Sequence, residues 1–325
     1  MYLDHAATSS LRPEARAAME EGFALWANPS SPHAEGRKAK QVLEDARERI
    51  KRSLAWNGEV IFTSGASEAL WIALNRAKVE RRIVSAVEHD AVFRAAPDAQ
   101  IFDEELPLDA QTLIAIQHVN SETGTINPVS MMGESITPTG AVLLSDCAQS
   151  AGKLVLPHVN MAVVSAHKFG GPIGIGALLL RDFNLLEPMG GHERGYRQGT
   201  ENLPGAMGMA AALEAGAWAT TAEDRAQFSE QLGADRLTVG EACDYIVALT
   251  HPTLSAQALL IRLDAQGFAV SAGSACSSGT LKKSRVLDAF GVSDEVAART
   301  IRVSIGWSTT PEELEKFAEA WRALA

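Results

Sequence analysis

The chain has 325 residues, enough to bury a large core in two domains, or in one domain with an appendage. Its 46% apolar and 21% charged content excludes a disordered or fibrous chain, and its charge of −11 argues against broad nucleic-acid binding. No apolar run reaches the roughly 18 residues that a membrane span needs, and Met1-Tyr2-Leu3-Asp4 has neither the basic patch nor the apolar stretch of a secretory signal.

Leu11 to Trp26 has helical spacing after Arg12-Pro13 and is broken by Asn28-Pro29-Ser30-Ser31-Pro32. Ala34 to Leu54 sets Val42, Leu43, Ala46 and Ile50 at helical spacing among Lys, Glu and Arg, which predicts a long amphipathic helix. Glu59–Thr63 reads as a strand that Ser64-Gly65-Ala66-Ser67-Glu68 turns into a helix ending near Ala77. Strands are expected again at Arg82–Val87, Leu113–Val119, Ala141–Leu144, Ala162–Val164 and Ile175–Leu180, separated by helical or looping segments. That alternation predicts a mainly parallel α/β sheet with helices on both faces, which binds ligands at its strand-end loops.

Composition changes after Gly205. Ala206 to Trp218 is an Ala-, Met- and Gly-rich helix that can connect two domains. Helix (Ala222–Leu232), strand (Tyr245–Leu249), helix (Ser255–Ala265), a Gly/Ser/Ala loop (Ser271–Gly279), helix (Ser284–Phe290), strand (Thr300–Ser304) and helix (Pro311–Leu324) follow. This order suits a smaller α+β domain. The expected division is 13–221 for the large domain, with 1–12 and 222–325 forming the small one.

The densest chemistry lies in Met161–Gly176, where an apolar strand runs into Ser165-Ala166-His167-Lys168 and then into a cluster of glycines. An arbitrary lysine on a turn is a surface lysine. Here Asp146 and Gln149, in D-C-A-Q-S, follow the preceding apolar run. An acid at one strand end, a lysine after the next, and Ser and His beside it suit pyridoxal phosphate. That cofactor needs a lysine to bond to, an anion for its pyridine nitrogen and donors for its phosphate.

Ten stretches then make a resemblance specific: Y-L-D-H-A-A-T-S, N-P-S-S-P-H, F-T-S-G-A-S-E-A, E-H-D-A-V, H-V-N-S-E-T-G, D-C-A-Q-S, S-A-H-K, E-R-G-Y-R-Q-G-T, S-A-G-S-A-C-S-S-G and T-I-R-V-S-I-G. Their types and order resemble the cysteine desulfurases of the NifS/IscS type, within the class V aminotransferases. The resemblance implies a fold-type I pyridoxal-phosphate enzyme, with a mainly parallel seven-stranded sheet in its large domain and a smaller α+β domain. It also implies roles residue by residue. Lys168 resembles the lysine that carries the cofactor, and Asp146 the carboxylate facing the pyridine nitrogen, although an Asp at a strand–helix junction is also a common helix cap. Gln149 resembles the residue at the phenolic oxygen, with Ser121 beside it. His89 resembles the imidazole stacked on the ring, although a lone His at a strand end is more often just a capping or satisfied imidazole. Ala66, Ser67, Ser165 and His167 resemble the phosphate cup, and Thr200 a donor supplied by the neighbouring subunit of a homodimer. Arg302, together with Asn28, resembles the grip on the substrate carboxylate.

Of the three cysteines, Cys147 and Cys243 read as small buried hydrophobes, and three scattered thiols suggest neither disulfides nor a metal site. Cys276 instead lies among Ser and Gly, in a loop where a thiolate can meet a substrate. In the resembling family this cysteine takes sulfur from L-cysteine as a persulfide, releases alanine and passes the sulfur to an acceptor protein such as an iron–sulfur scaffold, or toward thiolated tRNA. A cytoplasmic location fits the cysteine content, with no membrane and no direct nucleic-acid binding expected.

The chain departs from the family pattern at Ser121, where a second Asn is usual, at Ser67 for Thr, and at His5 and Ile173 for Asn and Lys. It is also shorter after Val92 and between Ala222 and Tyr245. Alternative readings are a selenocysteine lyase, a class V transaminase that makes no persulfide, and a scaffold that has lost catalysis. Intact Lys168, Asp146, Cys276 and Arg302 argue against the scaffold.

Overall fold

The computed structural model describes residues 1–272 and 284–324, which divide into two compact units. The larger comprises Leu11–His118 and Pro128–Gly216; the smaller comprises Met1–Ser10, Val119–Asn127 and the chain from Ala217 onward.

In the larger unit the helices are α1 (Pro13–Ala24), α2 (Ala34–Ser53), α3 (Ala66–Arg76), α4 (Asp90–Ala95), α5 (Val129–Ile136) and α6 (Leu203–Ala215). They alternate with strands β1 (Glu59–Thr63), β2 (Arg81–Val84), β3 (Gln100–Ile101), β4 (Thr112–Ala115), β5 (Val142–Asp146), β6 (Met161–Ser165) and β7 (Gly176–Leu180). The seven strands form one sheet in the order β1-β7-β6-β5-β4-β2-β3. Pairing is parallel from β3 to β6, and β7 runs antiparallel to both of its neighbours. Successive strand residues therefore feed opposite layers. Phe62, Ile114, Leu143, Ala162 and Val164 join one buried cluster with α1, α2 and α6 residues. Ile61, Leu113, Ala115, Leu144 and Val163 join another with residues of α3 and α4. Both faces are covered, which explains the unbroken apolar runs of β4 to β6.

Close helix packing depends on missing side chains. A Cβ on Gly208 of α6 would come within 2.7 Å of the Met19 side chain of α1, and one on Gly22 would meet Pro204 Cα at 2.6 Å. Glycine at these positions lets the two backbones approach. α2 is amphipathic as expected, and it buries Ala39, Leu43, Ala46 and Ile50.

The smaller unit holds α7 (Ala222–Gln231), β8 (Ile246–Thr250), α8 (Ala256–Ala265), α9 (Arg285–Ala289), α10 (Asp294–Ala297), β9 (Thr300–Ser304) and α11 (Pro311–Arg322). β8 and β9 pair antiparallel, placing Ala248 opposite Arg302. α11 starts on a capping box, in which the Thr310 hydroxyl accepts the Glu313 N–H while Glu313 returns a bond to the Thr310 N–H. It buries Phe317, whose ring meets Phe228 and Phe268.

The strands β1, β2 and β4 to β9 stand where the sequence predicts them, within a few residues. The additions are the two-residue β3 and the short helices α4, α5 and α10, which carry too few turns for a periodicity to show.

Candidate active site

In the larger unit the predicted residues gather at the ends of β5 and β6 and at the start of α3. Asp146 closes β5, and its register partner on β6 is Val163. Ser165 closes β6, and a 3-10 turn over Ala166–Lys168 carries the chain from there to Lys168. The acid and the lysine thus leave neighbouring parallel strands at the same sheet edge.

Asp146 accepts the Ala148 N–H at 2.9 Å through one carboxylate oxygen. It keeps some exposure, yet burial is the largest influence on it and raises it above the usual carboxylate range. The Ala148 bond and the charges of His89 and Lys168 pull it back down. A cationic ring nitrogen against this carboxylate would pull in the same direction.

His89 caps α4, its Nδ1 accepting the Ala91 N–H at 3.1 Å. The residue retains exposure, but the protein around the ring still lowers its pKa, mainly by burial; Asp146 opposes this and Lys168 reinforces it. An imidazole that accepts at Nδ1 carries its hydrogen at Nε2 when neutral. The backbone N–H of Gln117 binds Glu88 at 2.7 Å, which ties the turn before His89 to the end of β4.

The start of α3 is built to face an anion. Gly65, its N-cap, has φ 154°, a value L side chains rarely adopt, and no side chain caps the helix. The first amides of α3 and the Ser67 hydroxyl are therefore placed as donors, with Ser67 exposed. A Cβ at Gly65 would sit 3.7 Å from the Ser165 Oγ, so this helix start and the end of β6 adjoin. A side chain on Gly176 of β7 would strike Gly65 Cα at 2.7 Å, so glycine there permits the approach. Burial, with the charges of Lys168 and Lys153, pushes His167 down to about 4, which leaves it a neutral donor at neutral pH. Gln149 is buried.

This donor set fits pyridoxal phosphate: a lysine amine, a carboxylate for the ring nitrogen, an imidazole, and an open helix N-terminus with Ser165 and His167 for the phosphate. Thr200 is exposed, in a loop whose side chains are tied to the body of the unit. Asn28 is also exposed, and its Oδ1 accepts the Ser30 N–H at 2.8 Å. Cys147 is fully buried, and burial pushes its thiol up to about 12.

In the smaller unit, Arg302 is buried at the centre of β9. Its Nη2 donates to Asp4 at 2.7 Å and its Nη1 to the Ser121 carbonyl at 2.8 Å. The neighbouring Asn120 side chain accepts the N–H groups of Glu122 and Thr123, fixing the turn that presents that carbonyl. His5, which stands where the resembling family has Asn, is buried between Ser9 and Thr309, 3.2 Å from each hydroxyl. Cys243 is buried. Cys276 lies outside the described residues.

The profile of the Aminotransferase class-V family matches residues 1–317. The chain belongs to that family. A cysteine desulfurase IscS of Dictyoglomus turgidum is 32% identical over 97% of this chain and 91% of its own length. An IscS-like cysteine desulfurase of Mycobacterium tuberculosis is 33% identical over 98% and 94%. Among solved structures, a NifS-like protein from Rickettsia africae superposes with a TM-score of 0.86 at 25% identity, covering 100% of this chain and 99% of that one. SspA, solved in complex with cysteine, gives 0.80 at 27% identity over 95% and 99%. Family membership brings the pyridoxal-phosphate cofactor with it, in agreement with the donor set at β5, β6 and α3.

Sequence reasoning gave no role to three groups that the structure makes prominent: Glu88, the buried Arg47–Glu193 pair, and Asp4. Only Arg47 leaves a trace in the sequence. It falls on the apolar stripe of α2, between Leu43 and Ile50, where a solvated arginine would not be placed.

Proposed function

We propose that the protein is a pyridoxal-phosphate-dependent cysteine desulfurase, converting L-cysteine to L-alanine and passing the sulfur on from Cys276. The observation that carries the reading is the meeting of Lys168, Asp146 and His89 beside the uncapped start of α3, in a chain that aligns end to end with cysteine desulfurases. When bound, the cofactor supplies an electron sink for the substrate's α-carbon.

The chain's own residues then divide the work. Lys168 holds the cofactor and exchanges protons at the substrate carbon. Asp146, as a carboxylate, keeps the ring nitrogen protonated. His89, neutral and bearing its hydrogen at Nε2, would help hold the cofactor and could hand over a proton. Gln149 and Ser121 serve the phenolic oxygen; Ala66, Ser67, Ser165 and His167 hold the phosphate. Arg302, with Asn28, takes the substrate carboxylate, a task suited to a guanidinium fork. The Cys276 thiolate attacks the substrate sulfur: an S–S bond forms, the C–S bond breaks with its electron pair going to carbon, and protonation of that carbon gives alanine. A reducing cytoplasm keeps this thiol available between turnovers.

The reading includes a homodimer in which Thr200 reaches the partner's phosphate site. Its exposure supports this, and Phe23 and Trp26, at and just past the end of α1 and 65% and 81% exposed, are large apolar side chains that a second copy could cover. The persulfide would pass to a sulfur-acceptor protein, such as an iron–sulfur scaffold.

The decisive experiment compares wild type with Cys276→Ser on L-cysteine and L-selenocysteine. The expected result is that the variant still loads cofactor but releases no alanine from L-cysteine and carries no persulfide. Retained activity on selenocysteine alone would favour a lyase, and keto-acid formation independent of Cys276 a transaminase. Desulfurisation of L-cysteine by Cys276→Ser at the wild-type rate contradicts the proposal.

A further inference from the structure

Arg302, the residue proposed above to take the substrate carboxylate, already holds one. Its side chain is 8% exposed and that of Asp4 21%, and the Nη2–Oδ1 separation is 2.7 Å. Nη1 is engaged by the Ser121 carbonyl, while Nε is buried with no hydrogen-bond partner among the described residues. The guanidinium is thus neutralised on one prong, tethered on a second and left unsatisfied on a third. Leaving a buried charged donor unsatisfied is costly, and an incoming acceptor would relieve it.

Asp4 does not reach Arg302 by chance. A parallel bridge pairs it with Ser304 on β9, two residues beyond Arg302. Its carbonyl also accepts the N–H groups of Ala7 and Thr8, closing a turn that fixes its direction. The Tyr2 hydroxyl donates to the same carbonyl at 3.1 Å.

We infer that Asp4 is a built-in competitor for the carboxylate site on Arg302, and so sets how tightly the protein holds its substrate. An external carboxylate approaching Arg302 meets an ion pair rather than a bare cation, and brings a second anion against a single positive charge. Asp4 therefore weakens capture, and at the same time keeps Arg302 compensated when no substrate is bound. Asparagine at this position keeps the shape and the acceptor oxygen but removes the charge. The external carboxylate would then be the sole counter-ion. Removing the competing charge is expected to raise the affinity for the external carboxylate about tenfold.

The inference rests on the reading of Arg302 as the carboxylate site, and its test separates the two. Propionate binding is measured by calorimetry on holoenzyme in wild type, Asp4→Asn, Asp4→Glu and Arg302→Met, with propionamide as the uncharged control. KM and kcat for L-cysteine are measured beside it. In Asp4→Asn, propionate should bind about tenfold more tightly and KM should fall more than kcat changes, while propionamide stays unaffected. Asp4→Glu, which keeps the charge, should stay near wild type, and Arg302→Met should lose propionate binding. Tighter propionate binding without any cysteine turnover would uphold the competitor role and refute the desulfurase reading. Unchanged or weaker propionate binding in Asp4→Asn, or binding that survives Arg302→Met, overturns the inference. Should Asp4→Asn fail to fold, Asp4→Glu and Arg302→Met decide: a tenfold gain in the first or retained binding in the second overturns it equally.

Discussion

Glu193 and Arg47 form a buried ion pair whose disruption should be felt throughout the larger unit. Arg47 donates to Glu193 through two nitrogens, at 2.8 and 3.1 Å, with side chains only 3% and 1% exposed. Glu193 also accepts the Phe62 N–H of β1 at 2.8 Å, and Arg47 donates to the Val60 carbonyl and lies 4.7 Å above the Phe62 ring. The pair thus fixes α2, β1 and the loop that leads to Thr200. Within that loop Glu193 and Arg194 both have positive φ, 49° and 57°, a costly backbone that its anchors must hold. Glu193→Gln keeps the acceptor for the Phe62 N–H but leaves the buried guanidinium only the partly exposed Glu44 carboxylate, 3.3 Å from its Nε, as counter-charge, a loss of at most about 3–5 kcal/mol. At about 2–4 °C per kcal/mol, this lowers the unfolding midpoint by at most roughly 6–20 °C. Arg47→Met alone should also destabilise, by stranding the carboxylate. The double variant should recover a large part of the sum, because no unpaired charge remains. Denaturant unfolding of the four proteins measures the cycle. Additive losses, or single-variant losses below about 1 kcal/mol, would refute the reasoning and make the pair equivalent to a surface contact.

Other outcomes follow from the same physics. His167 titrates near 4 in the fold, below the ordinary value of 6.5, so its contribution is full above 6.5 and is lost as pH falls toward 4. His167→Gln should therefore flatten the stability–pH curve between those values; an unchanged slope counts against the burial assigned to it. Asp146 acts in the opposite sense, since its raised pKa favours the fold below 3.8 and that benefit fades as pH rises through its folded value. Cys147 and Cys243 are buried, so brief alkylation of the native protein at pH 8 should spare both and modify Cys276, as read by peptide mass. Ser121→Asn should slow cofactor loss on dialysis if the longer side chain reaches the phenolic oxygen. Equal loss rates would mean that Asn at this position adds no contact.

What the sequence made legible follows from burial. β5 and β6 read as strands because both of their faces are covered, leaving apolar runs with abrupt polar ends at Asp146 and Ser165. Those ends are where ligands meet such sheets, so Lys168 and Asp146 stand out in the sequence itself. β3 is only Gln100–Ile101, both exposed, and offers no apolar signal. The antiparallel direction of β7 is fixed by its neighbours rather than by its own residues. Of the Arg47–Glu193 pair, Arg47 shows only by its place on the apolar stripe of α2, and Glu193 is hidden in a charge-rich segment, where a charge ordinarily faces water. Asp4 was hidden for a different reason: its partner Arg302 lies at the far end of the chain.

Lys168 is central to the proposed chemistry, and the most direct test is to locate the cofactor chemically. Protein saturated with pyridoxal phosphate should absorb in the visible range, and borohydride should fix the cofactor's mass on the peptide containing Lys168. Lys168→Ala should show neither signal. A reduced adduct on any other lysine, or a visible band that survives in Lys168→Ala, would contradict the site at its centre.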